Sequence, residues 1–264
     1  MDTDDVTRGR LLTRREALAL LGAAGAAFLA ACDDGDDTPA PAATATPTSG
    51  AELILVEGTR PPNAPSCVVR PELMEGPFFV DEQLNRSDIR SDPSGAATRD
   101  GDPLELTFLV SRVGPNACER LEGAQVDIWQ CDARGVYSGV SDGTNDTRGE
   151  SWLRGYQLTD AQGTAAFTTI YPGWYPGRAT HIHFKIRADT PAGPAEFTSQ
   201  LFFDDDLSDD VHARGAYADR GAAGRPKNAD DAIFRQGGDQ LLLTLTPTRD
   251  GYSAIFTIGL QLDA

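Results

Sequence analysis

From about residue 100 onward, apolar and polar positions alternate in short runs bounded by Gly, Pro, Asn or Asp. Period-two alternation puts successive side chains on opposite faces of an extended chain and so predicts half-buried strands. Leu104–Val113 alternates in this way, and so do Ala124–Trp129, Thr164–Ile170, His181–Ile186, Thr198–Phe203, Leu241–Thr246 and Tyr252–Leu262. The turn Asp160-Ala161-Gln162-Gly163 leads into the third run. Pro247-Thr248-Arg249-Asp250-Gly251 separates the last two and predicts a hairpin. Many short strands with regular turn signals predict an all-β fold, either sandwich or barrel. Leu207–Gln240 breaks this rhythm, and is expected to be partly helical around Ser208–Ala216 and Ala229–Phe234. Excursions of that length are uncommon in compact domains unless functional, and covering a site mouth is one role open to it.

The N-terminal quarter follows a different pattern. Thr13-Arg14-Arg15-Glu16-Ala17-Leu18 precedes a run of Ala, Leu and Gly that reaches Ala31. A basic stretch followed by a short apolar one is a secretory signal, too short for a comfortable membrane span. The paired arginines resemble a twin-arginine signal, which exports folded proteins. Leu29-Ala30-Ala31-Cys32 resembles a lipobox, whose cysteine would be lipidated and tether the mature chain to the outer face of a membrane. Residues 33–62 open with Asp33, Asp34, Asp36 and Asp37 and pass into Ala, Thr and Pro, which predicts a solvated linker. The expected organisation is therefore a signal over 1–32, a linker over 33–62 and one folded domain over 63–264. The expected location is outside the cytoplasm, lipid-anchored at the outer face of the cytoplasmic membrane or secreted.

Composition adds an exclusion. The net charge is −17, and removing residues 1–32 takes equal numbers of acidic and basic groups, so the mature charge is the same. A nucleic-acid partner needs clustered Lys and Arg, which such a chain lacks. Besides Cys32 there are three cysteines, Cys67, Cys118 and Cys131, and an exported chain is expected to bridge two of them. A straight strand over 123–130 would hold Cys118 and Cys131 roughly 25 Å apart, too far for a bond. Cys67 is thus expected to be one partner, with the other left open.

The chemistry concentrates in Tyr171–Ile186, which holds two of the three histidines as His181-Ile182-His183. On a strand, both imidazoles leave the same face and can share a metal. Two histidines do not complete a site, and zinc centres add a third His, a Glu or cysteines. His212 lies in the irregular excursion and is expected at the surface. Asp204-Asp205-Asp206 lacks the spaced calcium loop and is expected to be a solvated turn. The remaining nearby donors are phenols, Tyr175 in the preceding loop and Tyr137 in Gly135-Val136-Tyr137-Ser138-Gly139. A phenol with its ordinary pKa of about 10 ionises at neutral pH only beside a strong Lewis acid. Hard anionic oxygen donors favour Fe(III).

Several segments together resemble the intradiol ring-cleavage dioxygenases. They are Glu75-Gly76-Pro77-Phe78-Phe79, Val126–Gly139, Leu153-Arg154-Gly155-Tyr156 and Ile170–Phe184. The resemblance spans residues 67–203 and implies a β-sandwich with a non-haem Fe(III) cofactor. It places the metal ligands at Tyr137, Tyr175, His181 and His183, the active-site arginine at Arg178 and the active-site glutamine at Gln200. Tyr156 and Tyr171 fall outside the ligand positions and are expected to be structural. The implied reaction binds a catecholic substrate through both oxygens, with Tyr175 leaving the metal. The ring then opens with both atoms of O2 to give a cis,cis-muconate-type diacid. Gln130 departs from the histidine many relatives carry after the Trp, with little consequence expected. The helical N-terminal dimerisation region of catechol 1,2-dioxygenases is replaced by signal and linker, so the chain is most similar to a secreted single-domain branch. A competing reading is a sandwich that keeps the iron and captures catecholates without turnover. Intact Arg178 and Gln200 weigh against it.

Overall fold

A computed structural model describes residues 68–95, 98–114 and 117–262. The signal of 1–32 with Cys32, the linker of 33–62 and Cys67 lie outside the described residues. The alternating runs become strands of two sheets: β1 (Pro103–Val113), β2 (Cys118–Arg120), β3 (Gln125–Trp129), β4 (Arg154–Leu158), β5 (Thr164–Ile170), β6 (His181–Thr190), β7 (Gly193–Phe202), β8 (Thr246–Pro247) and β9 (Tyr252–Leu260). The first sheet runs β2-β1-β9-β8, with β5 also on β1, and the second runs β4-β3-β6-β7. The fold is an all-β sandwich with short helices, and the sandwich rather than the barrel is the form it takes.

Within the first sheet β1 is antiparallel to β5, from Pro103↔Ile170 to Leu109↔Thr164. It is parallel to β9, from Leu104↔Tyr252 to Arg112↔Leu260. In the second sheet β6 is antiparallel to both β3 and β7, with Trp129↔His183 and His183↔Gln200 in register. Alternation turns Ile182, Phe184 and Ile186 inward against the first sheet, where all three are buried in the main core. Phe108 of β1 lies 5.4 Å from Phe184 and 5.7 Å from Phe256, between ring centroids, so aromatic packing joins the two sheets. His181, His183 and Lys185 therefore face outward from the sandwich, yet all three are buried.

The extended segment 68–90 crosses the outer face of the second sheet and covers His183 and Lys185. Leu73 N donates to Thr198 O of β7 (3.0 Å), and Tyr156 N of β4 donates to Leu84 O (2.8 Å). Ile89 N then reaches Thr168 O of β5 (3.1 Å). This segment carries too little apolar alternation to be read as an element, and its order comes from the sheet edges it borrows.

The hairpin at 247–251 forms, closed by Thr248 N to Gly251 O at 2.8 Å, but its first strand is only Thr246–Pro247. Leu241–Thr246, expected as a strand, is instead the end of a 3-10 turn (Gly238–Leu241) and an extended stretch whose Leu242 makes one bridge to Phe202. The excursion contains helix α1 (Asp205–His212) and further 3-10 turns at Gly215–Tyr217, Asn228–Asp230 and Phe234–Gln236. Asp204 is a helix cap and not merely a solvated turn: its carboxylate accepts Asp206 N (3.0 Å) and Leu207 N (2.9 Å). Cys118 is disulfide-bonded and Cys131 is a free, buried thiol. Of the two partners left open for Cys67, Cys131 is therefore removed.

Candidate active site

Two loops bring the phenols to the outward histidines, and glycines set how closely they dock. After β3, Asp132 closes a turn by accepting Arg134 N (2.9 Å) and Val136 N (3.0 Å) on its carboxylate. Gly135 sits at φ +82°, and a Cβ there would lie 2.1 Å from Trp174 O. No side chain fits that contact, so the loop bearing Tyr137 can press on the loop bearing Tyr175 only through glycine. The Tyr175 loop is held from behind by the excursion. The Tyr171 hydroxyl pairs with Ser208 Oγ (2.7 Å), Tyr217 OH donates to Tyr171 O (2.7 Å), and Trp174 Nε1 donates to Gly221 O (2.8 Å).

His212 belongs to the same buttress and is not a surface residue as expected. It is 1% exposed, packs its ring on Tyr171 and Tyr217, and its Nε2 donates to Pro172 O (3.1 Å). The aromatic cluster, invisible in a polar-looking local sequence, is what draws it inside. The excursion thus supports the loop that carries Tyr175.

The four expected donor atoms converge. His181 Nε2 is 3.5 Å from Tyr137 OH, 3.3 Å from Tyr175 OH and 3.0 Å from His183 Nε2. His181 Nδ1 lies 2.6 Å from Ala179 O, an atom that can only accept, so Nδ1 carries the proton and Nε2 turns its lone pair to the cluster. His183 lies flat on Trp129, centroids 5.0 Å apart and planes within 7°, and Phe79 covers the far side of Trp129 at 4.8 Å. Phe78 stacks on Tyr137 at 4.6 Å. Gly76 crosses directly over His183 at φ +77°, where a Cβ would be 3.2 Å from Cε1.

Burial shifts all four donor groups toward their neutral forms. Burial, and then the neighbouring Tyr175, pushes the Tyr137 phenol well above its ordinary range. Burial raises Tyr175 to about 12, with Arg178 opposing. Burial and then Arg178 lower His181 to about 3, and burial, His181 and Arg178 lower His183 as well. Two neutral imidazoles with two phenols form a donor set that gains its full affinity only when a cation replaces the phenolic protons. Among the described residues no three or more His, Cys, Asp or Glu come together as a metal site. The two imidazoles would need both phenols to complete one. The donor set fits a hard, highly charged ion such as Fe(III).

Arg178 and Gln200 complete the arrangement. Arg178 Nη1 lies 3.4 Å from His181 Nε2, its Nη2 donates to Gln200 Oε1, and Gln200 Nε2 donates to Met74 O (2.8 Å). The buried Arg154 is bound behind Tyr137, with Nε to Ser138 O (3.0 Å) and Nη1 to Phe78 O (2.6 Å). Gln130 spends its amide on Ile170 O and accepts from Thr169 Oγ1, both at 2.9 Å, a purely structural use. Tyr156 lies outside the cluster on β4. Sequence reasoning missed Asp231, fully buried in the excursion, whose Oδ2 accepts Arg178 Nε and Ala179 N, both at 2.9 Å. Burial would raise its carboxyl, but the Arg178 charge and the backbone N–H groups of Ala179 and Ile233 outweigh it and hold the group below the ordinary range. A separate cleft of about 320 Å³, lined by Arg99, Asp100, Asp132, Arg134 and Asp219 among others, contains none of the expected site residues.

A family model described as Dioxygenase matches residues 74–227. Among solved structures, an intradiol ring-cleavage dioxygenase from Tetranychus urticae superposes with a TM-score of 0.62 at 32% identity, covering 74% of this chain and 95% of that one. The dioxygenase domain of a carbohydrate-binding fusion protein from Streptomyces sp. SirexAA-E gives 0.54 at 30% identity, covering 74% and 100%. Chlorocatechol 1,2-dioxygenase of Pseudomonas putida is 26% identical over 149 residues, 50% of this chain and 52% of the relative. The protocatechuate 3,4-dioxygenase beta chain of Burkholderia cepacia is 28% identical over 158 residues, 56% and 66%. The chain thus spans between half and two thirds of the length of these two curated relatives. It belongs to the intradiol ring-cleavage dioxygenase family.

Proposed function

We infer that this chain is an Fe(III)-dependent dioxygenase that opens a catechol-type ring between its two hydroxyls, using O2, to a cis,cis-muconate-type diacid. The observation that carries this is the convergence of Tyr137, Tyr175 and His183 on His181 Nε2 within 3.5 Å. Tyr137, Tyr175, His181 and His183 would hold the iron, which supplies Lewis acidity that makes a bound catecholate reactive toward O2.

The two phenols differ in a way that assigns their roles. Tyr137 is buried under Phe78 and backed by Arg154, so it would be the permanent ligand. Tyr175 is only partly buried, on a loop between Gly173 and Gly177, and is free to leave. Its phenolate oxygen would be placed to accept a proton from a catechol hydroxyl. Arg178 holds a fixed positive charge beside the ring-binding face and stabilises the electron-rich species formed there. Gln200, already bonded to Arg178, orients the oxygen atoms of the substrate. The Trp129 and Phe79 stack excludes water from His183.

Export as a lipid-anchored or secreted protein, with iron loaded before translocation, accords with Arg14-Arg15 and Leu29–Cys32 and belongs to the same proposal. Purified protein should be red-brown from tyrosinate-to-Fe(III) charge transfer, and should consume O2 with catechol to give a muconate. A folded protein that binds no iron rejects the reading. A coloured protein that binds catechol without O2 uptake is the non-catalytic binder.

A further inference from the structure

Arg178 is the cation that reaches His181 and Gln200, and a guanidinium on a long side chain has many rotamers to choose from. Its own loop does not fix it, since the flanking Pro176 and Gly177 are exposed. What fixes it comes from the excursion, far along the chain. Asp231 has no exposed side-chain surface, and each of its oxygens is fully used. Oδ2 takes Arg178 Nε and Ala179 N at 2.9 Å, while Oδ1 takes Ile233 N at 2.7 Å and Phe234 N at 3.3 Å. The second pair locks the carboxylate onto its own backbone turn, and the first aims the guanidinium so that Nη2 donates to Gln200 and Nη1 lies 3.4 Å from His181 Nε2. A carboxylate fastened on one side and directing on the other behaves as a rigid bracket.

We propose that Asp231 is the positioning residue for Arg178, and that the 229–234 turn exists to hold that arginine against the candidate active site. Turnover as a readout rests on the dioxygenase reading above, whereas the orientation of Arg178 does not. The primary measurement is therefore made on metal-free protein, by NMR of 15N-labelled arginine with the Arg178 Nε–H assigned through Arg178→Lys. That proton should be shifted downfield and slow to exchange in the wild type, and should lose both properties in Asp231→Asn. A fast-exchanging Arg178 Nε–H in the wild type overturns the proposal, whatever the protein catalyses.

With iron bound, Asp231→Asn should lower kcat by roughly 10- to 100-fold with a much smaller change in KM, the scale of a misplaced catalytic group. The visible spectrum should persist, since none of the four expected ligands is touched. Arg178→Gln and the double variant Asp231→Asn/Arg178→Gln should be equally impaired, because Asp231 would act only through Arg178. Additive losses would assign Asp231 to general stability and overturn the proposal. If Asp231→Asn does not fold, Asp231→Glu retains the charge while displacing the guanidinium by one methylene. It should then show the same kcat loss with an intact thermal transition, and wild-type turnover in Asp231→Glu would overturn the proposal equally.

Discussion

Strands β1 and β6 are long strands of opposite sheets, and they treat their outward faces in opposite ways. On β1 the burial alternates, with Leu104, Leu106 and Phe108 inside and Glu105 exposed, and the neighbouring Ile255 of β9 is 68% exposed. On β6 the run from His181 to Ile186 is buried on both faces. The sequence alternates equally in both strands. Covering β6 from outside with segment 68–90 and two glycine-docked loops turns an ordinary polar face into a dry one, and dry polar faces are where imidazoles and phenols become a metal site. The candidate site is a covered sheet face.

The comparison breaks most completely at the covered polar face itself. His183→Ala or Tyr137→Phe should abolish both the visible absorption and O2 uptake of the iron-loaded protein while circular dichroism stays that of the wild type. An unchanged spectrum would take that residue out of the site. On the inner face of the same strand, Phe184→Ala removes a ring packed on Phe108 and Phe256 and should cost about 3–5 kcal/mol of unfolding free energy in denaturant melts. A loss below about 1 kcal/mol would mean that the two sheets are held together elsewhere.

Smaller effects sharpen the contrast. Gly76→Ala forces a side chain into a left-handed backbone directly over His183 and should destabilise the metal-free protein by about 1–2 kcal/mol. Asp127 lies on β3, in register with Lys185 of β6, and is nearly buried. Burial raises its carboxyl to about 6, with Arg187 opposing. A raised native value means the folded protein binds its proton first as pH falls, so Asp127 favours folding below about pH 4 and that contribution is lost as pH rises through 6. Asp127→Asn should therefore stabilise the protein at pH 8, by on the order of 1–2 kcal/mol, and do little at pH 4. A gain that is the same at both pH values would sink this account. On the uncovered sheet, Ile255→Thr should change stability by less than about 0.5 kcal/mol.

How much of this was legible in the sequence follows from what each residue depends on. Alternation revealed most long strands because one face of each is core. It missed β4, where Arg154-Gly155-Tyr156-Gln157 offers no apolar face and pairing with β3 and segment 68–90 supplies the order. It also overextended into Leu241–Thr246, whose leucines are apolar but find no full ladder. His181, His183, Tyr175 and Arg178 could be singled out as candidates because they crowd into a short stretch, and Tyr137 and Gln200 because whole motifs surround them; the structure brings all six together. The burial of His212 was not, because its partners Tyr171 and Tyr217 meet it only after folding. Asp231 gave no local signal at all: in Asn228-Ala229-Asp230-Asp231, nothing marks which aspartate turns inward.

The parallel pairing of β1 with β9 sets a timetable for biosynthesis. Among the described residues β1 is the first strand to leave the ribosome, and one whole edge of it waits for β9, which emerges after the other described strands. Closing so long a loop is slow and entropically costly, so the nascent sandwich must spend its synthesis with an open flank. A chain cut before Tyr252 would not be a smaller version of this protein. It would present a bare β edge to its neighbours, and a quality-control system that gauges exposed edges would find it unfinished until β9 is in place.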